Sequence, residues 1–94
     1  MTMNNNVTLF ELVHRHDIDA DYDQLWIGDI HGHPVMINMR KESVAIGENA
    51  GRFDRWSNSR LCLLDTTKTD HVSALEAWLD DGNIDHIQGL WSDQ

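Results

Sequence analysis

Within Ile27-Gly28-Asp29-Ile30-His31-Gly32-His33, one carboxylate and two imidazoles fall close together. Carboxylate oxygen and neutral imidazole nitrogen are donors to zinc and other transition metals, so the string carries ligand chemistry. A one-metal site would join His31 and His33 to Asp29 or to a carboxylate from elsewhere. It would also need groups behind the imidazoles to orient them. Histidines two apart on a strand share a face, whereas the second pair, His14 and His16, falls in a helical stretch where such positions diverge. The competing account is a turn, in which Gly32 supplies a positive φ, Pro34 fixes its own backbone and the two histidines stand in solvent. The turn is the simpler account, and no metal or other cofactor is expected.

The same string resembles the first metal-binding motif of the calcineurin-like metallophosphoesterases, in which an Asp and a His at this spacing bind one ion of a two-metal centre. Carried over, the resemblance implies that Asp29 and His31 are ligands. The family's later Gly-Asp and Asn-His-Glu segments have no counterpart, and Gly47-Glu48-Asn49 does not supply them. Two-metal hydrolysis needs bridging and terminal ligands around both ions. A dinuclear centre is therefore not expected, and a metal-dependent hydrolase using Asp29, His31 and His33 ranks last among the functional readings.

Asp17, Asp19, Asp21 and Asp23 alternate with Ile18, Ala20 and Tyr22. A calcium loop of the EF-hand type needs Gly and a bidentate Glu where Tyr22 and Gly28 stand. The alternation describes instead an extended segment with an inward apolar side and an outward acidic one. On a strand those carboxylates would stand ~6.6 Å apart, close to the phosphate spacing along one nucleic-acid strand. Such a face suits a groove of Arg and Lys built for phosphates.

Arg52-Phe53-Asp54-Arg55-Trp56-Ser57-Asn58-Ser59-Arg60 interleaves bases with aromatics. Stacking and phosphate pairing would make it a nucleic-acid contact. Arg52, Arg55 and Trp56 could equally anchor a protein interface, or Phe53 and Trp56 could simply pin a loop to the core. Cys62, within Leu61-Cys62-Leu63-Leu64, reads as a buried small hydrophobe and not as a nucleophile. There is no Gly-rich phosphate loop and no Ser/His/Asp or Cys/His arrangement. The chain is not expected to be an enzyme.

Charge narrows the partner. The formal net charge is −9 on 94 residues. Residues 1–38 carry six acids and one base, residues 69–94 six acids and no base, and the middle holds six of the seven bases. This field repels nucleic acid and anionic membrane and favours a basic protein surface. No apolar run approaches the ~20 residues that span a bilayer, no signal peptide is visible at the N-terminus, and the lone cysteine fits a reducing compartment. A cytoplasmic protein is expected.

The elements that must position these residues follow from period and boundary signals. Residues 1–7 read as a flexible N-terminus. Thr8-Leu9-Phe10-Glu11 has the form of a capping box opening a helix over 8–16. Strands are predicted near 24–30, 34–40, 43–48 and 60–65, with turns at His31-Gly32-His33-Pro34 and Lys41-Glu42 and a long loop over 47–59. The spacing of Val72, Leu75, Trp78 and Leu79 predicts a helix over 70–81, capped by Thr69 or Asp70 and ended by Gly82. Ile84, Ile87, Leu90 and Trp91 continue helical spacing after Asn83.

The expectation is therefore one small α+β domain over 1–94: an antiparallel sheet of about four strands with an N-terminal and a C-terminal helix on one face. The expected function is that of an acidic inhibitor occupying the basic, nucleic-acid-binding surface of a partner protein. In charge and size it is similar to the phage-encoded anti-CRISPR and anti-restriction proteins, some of which imitate DNA. An immunity protein neutralising a basic nuclease toxin is the alternative. The partner-binding candidates are Asp17, Asp19, Asp21, Asp23, Asp80, Asp81 and Asp85, with Arg52, Arg55 and Trp56.

Overall fold

The Thr8 hydroxyl accepts from the Glu11 amide at 3.1 Å, and the Glu11 carboxylate accepts from the Thr8 amide at 3.0 Å. This reciprocal cap starts helix α1, Leu9–Arg15, whose Leu9, Leu12 and Val13 are buried. A computed structural model describes residues 8–48 and 61–92 of the chain. The expected flexible N-terminus lies outside the described residues, as does most of the expected loop over 47–59.

Five strands follow, β1 Leu25–Ile30, β2 His33–Asn38, β3 Ser43–Gly47, β4 Leu61–Asp65 and β5 Trp91–Ser92. They form one antiparallel sheet in the order β1-β2-β3-β4-β5. The two-residue β5 is an addition to the four predicted strands; it pairs with Leu61 and Cys62. Helix α2, Thr69–Asp81, follows β4, and a 3₁₀ helix over Ile84–Leu90 leads into β5.

Alternation along the strands separates two faces. Trp26, Ile37, Val44 and Leu64 stand in one cross-strand row, and the neighbouring row is Ile27, Met36, Ala45 and Leu63. The first row belongs to the core, where Ile37, Val44, Ile46, Cys62 and Leu64 join the apolar faces of both helices. In α2 that face is Val72, Leu75, Trp78 and Leu79, as the helical period requires.

Three boundaries differ from the sequence expectation, each for a local reason. Strand β2 stops at Asn38 because the Asn38 side chain accepts the Lys41 amide at 3.0 Å, and the turn spans 39–42. Met39, which extends the predicted strand by composition, is buried inside that turn. Helix α2 begins at Thr69 with Lys68 as its cap and no side-chain bond there; Asp65 orders the approach by accepting from the Thr67 amide and hydroxyl. Residues 84–90 take the tighter 3₁₀ form, opened by the Asn83 side chain accepting from the Asp85 amide at 2.9 Å.

Candidate functional site

Helix α2 ends on Asp80 and Asp81 with no basic residue in its last turn. Negative charge at a helix C-terminus is unfavourable, and the polar groups that meet this end come from elsewhere in the fold. Three histidines from three other elements meet this end. His16, the residue closing α1, places Nε2 3.3 Å from Asp80 Oδ1. His31, in the β1–β2 turn, donates through Nε2 to the Leu79 carbonyl at 2.9 Å. His86, in the 3₁₀ helix, bonds Asp81 Oδ2 at 2.9 Å.

The turn that delivers His31 is a two-residue hairpin loop. His31 and Gly32 both have positive φ, +52° and +82°, the combination of a type I′ turn between antiparallel strands. Gly82, at φ +77°, ends α2 and its amide bonds the Trp78 carbonyl at 2.7 Å. A Cβ on Gly82 would stand 2.9 Å from His31 Nδ1, so glycine serves both the left-handed backbone and the close approach of the imidazole.

Of the histidines flanking Gly32, which the sequence places in solvent, His31 is exposed while its ring bonds α2, and only His33 departs from that reading. His33 is half-buried and donates through Nδ1 to the Gly47 carbonyl at 3.0 Å. Both rings meet the edge of the buried Trp78 indole, with centroids at 5.3 and 6.1 Å. They pin the hairpin to α2. His33 pairs with Ile30 on the helix-covered face, while Asp29 falls with Leu25 and Ile27 on the other. Asp29, His31 and His33 do not converge, and among the described residues no group of three His, Cys, Asp or Glu is placed to hold a metal. His14 turns back to the Phe10 carbonyl at 2.9 Å and so diverges from His16.

Beside the α2 terminus lies a cleft of about 530 Å³, lined chiefly by Asp17, Asp19, Trp26, Asp29, His31 and Leu79. Its Trp26 wall lies against Gly28, where a Cβ would meet the indole at 2.5 Å. Asp17 turns into the cleft region with a positive φ of +60°, and Ile18 and Ala20 are buried beneath the exposed aspartates. The predicted inward and outward alternation is present over 17–20. It ends at Tyr22, which is exposed and stacks on Phe10 at 4.3 Å.

The four-aspartate run is consequently divided. Asp17 and Asp19 join the α2 end, whereas Asp23 lies 3.8 Å from Arg40 at the β2–β3 turn. The segment is not a strand, so it carries no evenly spaced ladder of carboxylates. Asp81 is held below its ordinary pKa, first by the Asn83 amide and then by His86. Asp85 is exposed at the start of the 3₁₀ helix. Arg52, Arg55 and Trp56 lie outside the described residues. The convergence of His16, His31 and His86 was missed in the sequence; the signal for it was a helix ending in two aspartates without its own cation.

Cys62 is fully buried, and desolvation pushes its thiol pKa up to about 12, which leaves no thiolate for nucleophilic chemistry. No helix among the described residues is long and apolar enough to cross a membrane. No protein-family model matches the chain, and no curated protein or solved structure matches it either.

Proposed function

We propose that the protein is a non-enzymatic binding protein that occupies a basic, nucleic-acid-binding surface of a partner protein, as anti-restriction and anti-CRISPR proteins that imitate DNA do. The observation that carries this reading is the meeting of two acidic segments distant in sequence. Asp17 and Asp19 share one end of the molecule with Asp29, Asp80 and Asp81. The net charge of −9 sets the long-range field in which that end works. Carboxylates displayed together attract a partner's Arg and Lys, raise the association rate and make it sensitive to salt. The basis is a compact acidic surface and not a phosphate-like ladder along 17–23.

The test has two parts. The full chain captures a partner from cells at low salt, and nucleic acid is then titrated into the complex. Competition between nucleic acid and the protein for one partner surface is expected. A variant with Asp17, Asp19 and Asp80 changed to Asn should associate more slowly and with a weaker salt dependence while keeping its circular dichroism spectrum. A partner that holds nucleic acid and this protein together, or a variant with unchanged rate and salt slope, overturns the reading.

A further inference from the structure

β1 forms one edge of the sheet, and β2 is the only strand paired with it among the described residues. None of its six residues is buried: Leu25, Ile27 and Asp29 are exposed, and Trp26, Gly28 and Ile30, on the helix-covered side, are half-buried. Exposed edge strands ordinarily carry charges, lysine above all, a proline or a bulge that discourages further pairing. Leu25–Ile30 has no lysine, proline or bulge; its one charge is Asp29, which disfavours an acidic strand and not a basic one, and its register with β2 runs unbroken from Leu25↔Asn38 to Ile30↔His33.

Beside this edge the outer face is apolar. Leu25 and Ile27 are 54% and 58% exposed, and the strip continues through Met36 and Ala45 to Leu63, 54% exposed. A strand added along β1 would gain backbone hydrogen bonds from the edge and cover Leu25 and Ile27 with its alternate side chains. The acidic cleft is lined from both sides of β1, by Trp26 and Ile30 from one and Asp29 from the other, so it lies across the same open edge.

We propose that the β1 edge takes up an extended, arginine- or lysine-bearing segment of the partner protein as an additional strand. This rests on the reading that the partner is basic. Charge selects this occupant. A second copy would bring an equal net charge of −9 to the same edge, like charge against like. A basic segment meets the carboxylates of the cleft with the opposite sign, and the Trp26 indole offers an aromatic face for a cationic side chain. Main-chain pairing supplies affinity, and the charges set register.

The experiment uses the full, isotope-labelled chain and a short soluble peptide in which Arg and Val alternate. A second peptide of the same sequence carries N-methyl groups on alternate backbone nitrogens, which keeps the charge and removes the donors. The expected result is amide protection over 25–30 with the first peptide and at least about tenfold weaker binding of the second. Ile27→Ser should weaken the first peptide about fivefold, while Ser73→Ala, on the exposed side of α2, leaves it unchanged. Equal binding of the two peptides, or perturbation confined to 17–19 and 80–81, overturns strand addition and leaves the acidic-surface reading standing. Failure of both peptides to bind at low salt overturns both readings. Concentration-dependent dimerisation abolished by Ile27→Ser assigns the edge to a second copy and overturns the proposal.

Discussion

Ile37, Val44 and Leu64 are each 2% exposed, while Ile27 and Leu63, one residue away on the same strands or their neighbours, are 58% and 54% exposed. The two rows are nearly equal in hydrophobicity and opposite in fate. The difference lies in what crosses them. α1 enters before β1 and α2 leaves after β4, and both lay their apolar stripes on the same side of the sheet. Hydrophobic side chains make burial favourable, but only connections decide which face receives a cover. Among the described residues no element crosses the outer row, and the covered row holds the fold.

The largest test of this contrast is mutational. Leu64→Ala should destabilise the fold by about 2–5 kcal/mol, because it empties space in a closed core. Leu63→Ala, on the open side of the same strand, should change stability by no more than about 0.5 kcal/mol. Urea unfolding with an unchanged m-value measures both, and comparable losses would break the comparison.

A second pair separates strain from contact at the α2 end. Gly82→Ala forces an alanine into the left-handed region at a cost of roughly 1–2 kcal/mol and displaces His31 from 2.9 Å. Gly32→Ala meets the same backbone cost, with φ +82°, but nothing within 4 Å. Gly82→Ala should therefore lower the unfolding midpoint more, and a reversed order would show that the His31 contact contributes nothing.

Thiol chemistry sharpens the two faces directly. Cys62 should resist alkylation in native buffer and react once denaturant is added, since it is buried and its pKa is raised to about 12. In a Cys62→Ala background, Leu63→Cys should react at the rate of an exposed thiol. Slow labelling at 63 would mean that something covers the outer face.

The smallest expected effect is in acid. Glu11, Asp65 and Asp81 all titrate below their ordinary values, held mainly by hydrogen bonds from Thr8, Thr67 and the Asn83 amide respectively. The folded protein then binds fewer protons than the unfolded chain across that range. Their stabilisation is complete above the ordinary values of 4.5 for Glu and 3.8 for Asp, and it is lost as pH falls through the lowered folded values. Asp81→Asn should flatten this acid limb slightly in pH-dependent unfolding, and an unchanged limb would remove Asp81 from the account.

Much of the fold was legible because it depends on neighbours in the chain. Thr8 and Glu11 are one turn apart, the hairpin loop falls within the predicted turn from His31 to Pro34, tightened to His31-Gly32 because His33 already pairs with Ile30, and the stripe from Val72 to Leu79 is a helical period. The fifth strand was not legible, since two residues at Trp91–Ser92 become a strand only when β4 lies beside them. The candidate site was legible as a charge imbalance but not as a place. Asp17 and Asp23 look equivalent in the sequence and lie at different ends, because the chain bends at Asp17 and Tyr22 packs on Phe10.

By itself, then, the sequence determined the order and kind of the main elements, the burial of Cys62 and the acidic field, all set by local period, local capping and summed charge. The tertiary structure decided which sheet face stays open and that β1 is an edge among the described residues, and that histidines from three elements gather at the end of α2. Those outcomes depend on contacts between residues far apart in the chain, where no spacing rule applies and only the packing of whole elements brings the groups together.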